Sequence, residues 1–342
     1  MRSTWQKFRG DESGGVAVVV TLVLTAMLCT AALVLDLGHL STVKTEVRKA
    51  AEAGAYAGAR ALGLPKDITD WNWDNGRATA VATVQQNSAD KLSLADFTSA
   101  DVQVGYWDMS WDSRTAHDLL PSNITPVIGK VAAVKVTVSK RAGGSGSGAP
   151  VAASFASMMG ISSMGVQASA VAMISPPTKI PYPDAFPFAL PYTWVANHYT
   201  DATPFQVAAD QHTPVSGGQW TSFKSTENGA TYIDSLLLGT ITGDSIGVGD
   251  HIYIQTGERA SVYNVAKTKV GDIRYIPVVL DNFVNGAYTT VQAYVPFEIT
   301  YVNGSGNNPY VEGKFKPGWI DPKASGAGGK YFGDPLPPKL VQ

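Results

Sequence analysis

Five histidines are the residues best suited to acid–base catalysis or metal binding, because imidazole titrates near neutral pH and ligates metals. They are His39, His117, His198, His212 and His251. None lies in an H-E-x-x-H motif or at a paired metal-binding spacing, and no G-x-S-x-G motif supplies a hydrolase nucleophile. We therefore predict no catalytic residue, no cofactor site and no metal site, and we expect a protein that is not an enzyme.

Three other segments contain residue types that bind ligands in some proteins. The run GGSGSG at Gly143–Gly148 lacks the Gly-Lys-Ser/Thr ending of a phosphate-binding loop, which favours a flexible connection. The run DMSWDS at Asp108–Ser113 resembles the D-x-S-x-S metal site of von Willebrand A domains. The third conserved position of that motif is Ser, but it is Asp112 in this chain, so an aromatic-rich turn is favoured over a metal site. Asp244 and Asp250 flank a Gly-rich turn; they are predicted to cap turns, with Ca²⁺ binding as the alternative.

A group of aromatic residues in the second half of the chain is a candidate surface for a sugar or a protein partner. Packing in the core is the commoner role of such side chains, so both alternatives stay open. The candidate residues are Tyr192, Trp194, Tyr199 and Trp220, with Phe205 near them in the sequence.

Composition excludes one large class of function. The chain has 342 residues, a net charge of −2 and only 16% charged residues. It therefore lacks the basic surface of a nucleic-acid-binding protein, and no nucleic-acid partner is expected. The one cysteine, Cys29, excludes an internal disulfide. Leu28 precedes it where lipoprotein acylation needs a small residue, so a lipid-facing side chain is expected.

The elements that must position any site begin with an uncharged segment near the N-terminus. Residues 16–35 supply about 20 apolar residues, enough for a helix to cross a bilayer core about 30 Å thick. Signal peptides have shorter apolar cores and a small-residue cleavage site, which LVLDLGHL does not offer. We predict a retained transmembrane segment. Residues 1–15 are then a cytoplasmic tail, and the bulk of the chain is extracytoplasmic.

The helix is predicted to continue beyond the membrane, because no proline occurs before Pro65. Small residues recur at three- and four-residue steps and form one smooth face, and Gly54 and Gly58 form a small-xxx-small pair. This face packs either on its own domain or on a partner helix. The predicted packing residues are Ala50, Gly54, Ala57, Gly58 and Ala61.

This N-terminal region resembles the TadG-like proteins of the Tad (Flp) pilus system, within the TadE/TadG-like pseudopilin group. The resemblance rests on four pieces in order: Gly15-Val16-Ala17, Asp36-Leu37-Gly38, Ala50 to Ala55, and Gly58 to Leu62. Glu52 stands where the family usually has Asp. The resemblance implies a single-span inner-membrane protein of a pilus assembly or secretion system, with its bulk in the periplasm. Processing by a prepilin peptidase is not expected, because no Glu lies within the apolar run.

The fold class is predicted as α+β. Residues 36–175 are expected to form a helix-and-sheet module, in agreement with the resemblance. Its predicted helices cover 74–89 and 150–160, and its predicted strands cover 101–107, 131–139 and 166–174.

A proline-rich segment, residues 176–191, is predicted to be an extended linker. Residues 192–342 alternate apolar and polar side chains between turn signals such as Asn285-Gly286 and Asn303-Gly304. They are predicted to form an antiparallel β sandwich or barrel, with a short helix near 263–269. The sequence of this region resembles the C-terminal region of the same family more loosely.

The leading hypothesis is a non-enzymatic, membrane-anchored protein of Tad/Flp pilus assembly. Its expected partners are the membrane and other pilus assembly proteins or minor pilins. The alternative is an anchored adhesin that binds a cell-surface glycan through the aromatic residues. A membrane-tethered hydrolase is the weakest hypothesis, since no nucleophile–base arrangement can be named.

Overall fold

A computed structural model describes most of the chain. The described residues are 13–63, 71–124, 129–141, 148–207, 217–227, 229–241, 245–255, 260–304, 309–321, 323–326 and 330–341. The chain divides into two compact units. The first unit comprises Met1–Gly54, Val81–Asp101 and Val136–Ala170, and the second comprises Ala55–Ala80, Val102–Lys135 and Val171–Gln342. The predicted cytoplasmic tail, residues 1–15, lies almost entirely outside the described residues.

The described residues form five α-helices. They are α1 Ser13–Ala61, α2 Trp73–Gln85, α3 Tyr192–His198, α4 Ala230–Leu238 and α5 Ala260–Ala266.

The described strands are mostly short: thirteen have two to four residues, and six have at least six residues. They are β1 Ser88–Ala89, β2 Leu92–Ser93, β3 Val102–Asp108, β4 Leu120–Pro121, β5 Lys130–Lys140, β6 Val151–Ala152, β7 Ser163–Met164, β8 Val166–Ile174, β9 Lys179–Ile180, β10 Phe188–Pro191, β11 Phe205–Val207, β12 Gln219–Trp220, β13 Ile246–Gly247, β14 His251–Tyr253, β15 Ile273–Val279, β16 Tyr288–Asn303, β17 Tyr310–Phe315, β18 Lys330–Tyr331 and β19 Lys339–Leu340. Together with the long N-terminal helix, they confirm the predicted α+β class.

Helix α1 runs without interruption for 49 residues, which confirms that the apolar segment and the small-residue segment belong to one helix. Among the described residues it is the one helix long and apolar enough to cross a membrane. Its apolar half is exposed, with Leu22 and Met27 both 65% exposed. Its second half buries one face, which starts at Val43 and Val47. The helix therefore changes from an exposed apolar rod to a packed element along its length.

A five-stranded sheet has the order β19-β8-β5-β3-β4, and β5 and β8 extend through both units. Its three long strands confirm the predictions at 101–107, 131–139 and 166–174. Strand β19 was not predicted. It pairs antiparallel with β8, so the end of the described chain returns to a sheet assigned to residues 36–175. Val341 packs there against the buried group Trp107, Ala133 and Val171. The boundaries of the two units differ from those of the predicted domains 36–175 and 192–342.

The eight-stranded sheet has the main order β11-β17-β16-β15-β10-β12, and both β14 and β18 also pair with β16. Strand β16 forms antiparallel hairpins with β15 and β17, as the turn signals predicted. However, β10 pairs parallel with β15 and β18 pairs parallel with β16, so the sheet is mixed rather than antiparallel. A parallel pair needs a crossover connection, and α3, α4 and α5 lie between β10 and β15 in the sequence.

The segment 176–191 is part of this fold rather than an extended linker. It forms β9, a 3₁₀ turn at Tyr182–Asp184 and β10. Ile180, Phe188 and Leu190 are all completely buried in the hydrophobic core of the second unit. The prolines rule out a helix, but they do not prevent the apolar residues between them from filling a core.

The helix predicted over 150–160 is also replaced by other structure. Strand β6 pairs with β7, and only Ala156–Met159 forms a 3₁₀ helix. Gly160 ends that turn with a left-handed φ of 86°, as the sequence suggested for the end of a helix.

Candidate functional site

The most specific polar arrangement of the first unit lies where the apolar half of α1 ends. Asp36 is 5% exposed, although it is charged. Its Oδ1 accepts a hydrogen bond from the backbone N–H of Ser154 at 3.1 Å. Its Oδ2 accepts from the N–H groups of Phe155 at 2.9 Å and Ala156 at 2.6 Å. The carboxylate thus ties α1 to the start of the 3₁₀ helix in the loop between β6 and β7.

These hydrogen bonds also set the charge state of Asp36. The N–H of Ala156 lowers the pKa of the carboxyl most, and the N–H groups of Phe155 and Ser154 lower it further against the opposing effect of burial. Three convergent N–H groups form the kind of concavity that stabilises an anion. Asp36 therefore stays ionised at neutral pH, and its carboxylate holds α1 to the 154–156 loop.

A second contact of α1 in the first unit involves the tip of the β1–β2 hairpin. The two loop residues, Asp90 and Lys91, have positive φ values of 57° and 60°, as a type I′ turn requires. His39 Nε2 lies 2.9 Å from Asp90 Oδ1, and Glu46 Oε2 accepts the N–H of Asp90 at 2.7 Å. Asp tolerates such a φ value, whereas Lys91 is strained there, and the two contacts with α1 hold the tip in place.

The small-residue face of α1 is mostly buried in the chain. Ala50, Gly54 and Gly58 are buried, whereas Ala57 and Ala61 are partly exposed. Within the second unit, a Cβ added to Gly58 would lie 2.9 Å from Ala80 Cβ and from the carbonyl oxygen of Gly76. The close approach that Gly58 permits is therefore made with α2 of the same chain, which was one of the two alternatives. Whether the face also packs on a partner stays a prediction.

The neighbouring end of α1 is capped from α2. The side-chain amide of Asn75 donates to the carbonyl oxygen of Ala61 at 2.6 Å, where the helix has carbonyls without intrahelical partners. A Cβ on Gly76 would lie 2.5 Å from Leu62 Cδ2. The α1–α2 contact thus depends on glycine at both positions.

The four candidate aromatic residues belong to the second unit, and they pack on other rings. Trp194 stacks on His198 with ring centroids 4.6 Å apart and also meets Phe205 at 4.7 Å. Tyr192 and Tyr199 both contact Phe332, at 5.4 Å and 5.3 Å. These three candidates are only partly exposed.

Trp220 differs from the other three because it is only 2% exposed. It meets Phe188 and Tyr263 edge to face, at 5.1 Å and 5.4 Å. Trp220 is therefore a core residue, and a ligand on the surface cannot reach its ring. Glycan binding by the others stays a prediction.

The described histidines have separate local roles. His198 Nδ1 lies 2.7 Å from the carbonyl oxygen of Trp194, and His251 Nδ1 lies 3.1 Å from Thr290 Oγ1. His117 stacks on Trp111 with centroids 4.7 Å apart. Among the described residues, no group of three or more His, Cys, Asp or Glu could hold a metal ion. His212 lies outside the described residues.

The carboxylates of Asp108 and Asp250, which are candidates for metal binding, contact other groups of the protein. Asp108 Oδ1 accepts the N–H and the hydroxyl of Ser110, and Oδ2 pairs with Lys130. The hydrogen bond from Lys130 is the largest of the effects that lower the pKa of Asp108 to about 2. Asp250 Oδ2 contacts both Lys224 and the N–H of Gly247, each at 2.8 Å.

Two of the segments considered as possible ligand sites lie wholly or partly outside the described residues. Asp244 lies outside the described residues, and so does Gly143–Gly148 except for its last glycine.

Comparison with known proteins gives one family. Residues 31–172 match a family model described as "Putative Tad-like Flp pilus-assembly", which is less than half of the chain. The match supports a place in the Tad pilus family, and it includes Asp36, its partners in the 154–156 loop and the α1–α2 contact. No curated protein and no solved structure matches the chain significantly.

Proposed function

We propose that the chain is a non-enzymatic, membrane-anchored protein of Tad/Flp pilus assembly, of the TadG-like pseudopilin group. Residues 16–35 hold it in the inner membrane, and the rest of the chain acts in the periplasm. It contacts other pilus components through α1 and through the surface of the β-rich region. The observation that carries this proposal is the match of residues 31–172 to the pilus-assembly family.

The anchor is supported by the geometry of α1. A helix rises about 1.5 Å per residue, so residues 16–35 span roughly 30 Å, the thickness of a bilayer core. Their side chains are exposed, and Val16, Leu28 and Val34 are each more than 60% exposed. Such a length of exposed apolar helix is unfavourable in water, and lipid would cover it. The exposed thiol of Cys29 then faces lipid.

A retained anchor is favoured over a cleaved signal by the contacts made directly after the apolar segment. The helix continues through Asp36 without a break and is tied to the 154–156 loop. Cleavage near LVLDLGHL would remove a helix whose next residues are clamped into the folded unit.

Only one edge of the small-residue face of α1 remains accessible for packing against a partner helix. Gly58 is used inside the chain, whereas Ala57 and Ala61 are half-buried and Tyr56 is 42% exposed. We therefore assign partner packing in the periplasm to Ala57 and Ala61, which lie roughly 30–40 Å beyond the apolar segment along α1.

Crosslinking and purification from native membranes test the proposal directly. A C-terminal tag should be recovered with other Tad pilus proteins, and protease should reach it once the outer membrane is permeabilised while the inner membrane is still intact. A tag located in the cytoplasm would overturn the topology. Recovery of the chain without any pilus component would overturn the proposed role.

The adhesin alternative has less support. The aromatic residues proposed for it pack on one another, and Trp220 is buried. Specific binding of the full detergent-solubilised chain on a glycan array, lost on Trp194→Ala, would revive it.

A further inference from the structure

We propose that the loop 154–161, SFASMMGI, enters the membrane surface beside α1, so that the chain contacts lipid through two apolar elements. The inference rests on the proposed anchor at residues 16–35. It concerns the first unit alone, since α1 up to Gly54 and the whole loop belong to that unit.

The position of the loop is set by Asp36. Its carboxylate binds the N–H groups of Phe155 and Ala156, and it is the first charged residue after the apolar segment. At this tether Phe155 and Ala156 face the apolar half of α1. An apolar groove of about 510 Å³ separates the loop from α1, lined by Thr25, Leu28, Cys29, Ala32, Leu33, Phe155 and Ala156.

This groove fixes the depth of the loop. All of its lining residues on α1 belong to the segment assigned to the membrane. Leu33 lies three residues before Asp36, roughly 5 Å along the helix axis. Phe155 lines the same groove, so its ring lies beside the end of the apolar segment. Whatever medium surrounds Leu33 also surrounds Phe155.

Two exposed side chains of the loop are apolar. Phe155 is 41% exposed and Ile161 is 49% exposed. The sequence from residue 142 to residue 178 contains no Asp, Glu, Lys, Arg or His. Charged residues are what make entry into the membrane costly, and the loop has none.

Lipid also requires that backbone polar groups are hydrogen-bonded internally, and several N–H groups of the loop are. Asp36 accepts the N–H groups at the start of the loop. The N–H of Gly160 donates to the carbonyl oxygen of Ser157 at 3.0 Å, and that of Ile161 donates to Ala156 at 3.0 Å. Strands β6 and β7 pair with each other at the base.

Lipid is the occupant that these features favour. The groove is open along the same exposed face of α1 that the bilayer covers under the proposed anchor. Acyl chains that surround Leu28 and Leu33 therefore have direct access to Phe155. A partner helix or a second copy of the chain is the competing occupant, and the experiment separates it.

Spin-label accessibility tests the inference on the full chain in vesicles of phosphatidylethanolamine and phosphatidylglycerol. The native Cys29 is labelled first and reports on the anchor alone. In a Cys29→Ala background, Phe155→Cys and Ile161→Cys are then labelled. Tyr56→Cys is the matched control, because Tyr56 is 42% exposed on the same helix and lies roughly 30 Å beyond Leu35 along its axis.

The accessibility of each label is measured separately to oxygen, which concentrates in lipid, and to a water-soluble nickel complex, since each reagent relaxes the labels that it can reach. We expect labels at 29, 155 and 161 to be more accessible to oxygen than to nickel, with the order reversed at 56. A label at 29 that nickel reaches would overturn the anchor. If Cys29 is in lipid but 155 and 161 react mainly with nickel, the loop inference fails and the proposed function stands. Shielding of 155 and 161 from both reagents would assign the groove to a protein partner and also overturn the inference.

Discussion

The carboxylate of Asp36 and the backbone N–H of Ala156 lie 2.6 Å apart although 120 residues separate them in the sequence. This hydrogen bond joins the end of the exposed apolar half of α1 to the loop between β6 and β7. The contact ties the exposed apolar half of α1 to the folded first unit, which fits the proposed anchor. Its consequences can be measured.

Asp36→Asn should destabilise the first unit. The amide cannot match the charge-assisted hydrogen bonds that the carboxylate accepts, and one of its two polar atoms is a donor that faces N–H groups. We expect a lower midpoint of thermal unfolding in detergent, measured by circular dichroism. Asp96→Asn is the matched control because Asp96 is exposed, and its midpoint should be unchanged. Equal midpoints for the two variants would show that the clamp contributes nothing.

Stability should fall on acidification, with Asp36 and Asp108 among the causes. Both carboxyls have a pKa below the ordinary value of 3.8, and that of Asp108 is lowered to about 2. A carboxyl whose pKa is lowered by folding stabilises the folded state fully above its unfolded pKa, and loses that effect as pH falls through the folded pKa. We expect the thermal midpoint to decrease below about pH 4, and less steeply in Asp36→Asn or Asp108→Asn. The same slope in both variants and the unmodified chain would contradict this assignment.

Gly58→Ala should destabilise the α1–α2 contact by about 1–3 kcal/mol, the usual cost of overpacking. The added methyl group would lie 2.9 Å from Ala80 Cβ and from the Gly76 carbonyl oxygen. Gly38→Ala is the control on the same helix, since a Cβ there meets nothing within 4 Å. It should be neutral or stabilise the helix by about 0.5–1 kcal/mol. Chemical denaturation measures both changes, and the same sign for both would refute the packing argument.

Lys91→Gly should stabilise the β1–β2 hairpin by about 1 kcal/mol, because glycine removes the cost of a left-handed residue. Lys91 has a φ of 60°. The same substitution at the exposed Lys49 inside α1 should have the opposite effect and cost about 1 kcal/mol. Unfolding free energies of the two variants decide the matter. A loss of stability in Lys91→Gly would mean that its side chain makes a contact worth more than the backbone strain.

Patterns of neighbouring residues in the sequence predicted the helices and strands that depend mainly on those residues. The continuous helix through Asp36 agrees with the absence of proline before Pro65, and β8 agrees with the alternation in VQASAVAMI. A missed helix also had a signal. In α4, Ile233, Leu236 and Leu237 are buried at helical spacing, and Gly239 ends the helix with a φ of 72°.

Non-local contacts could not be predicted in the same way. The partners of Asp36 lie in a segment whose sequence suggested a helix, and nothing near Asp36 identifies them. Strand β19 has only two residues, and its pairing with Met173 and Ala172 is visible only in three dimensions. The prolines of 176–191 suggested a spacer, whereas the apolar residues between them fill the core. Each of these outcomes depends on tertiary packing, which overrides local preference.

Deletion of the gene in the native host tests the central claim most directly. Flp-type pili on the cell surface are counted by electron microscopy in the deletion strain, and again after complementation with the full chain. We predict loss of pili or of Tad-dependent secretion on deletion and recovery on complementation. Unchanged pili and secretion in the deletion strain would contradict a role in Tad pilus assembly.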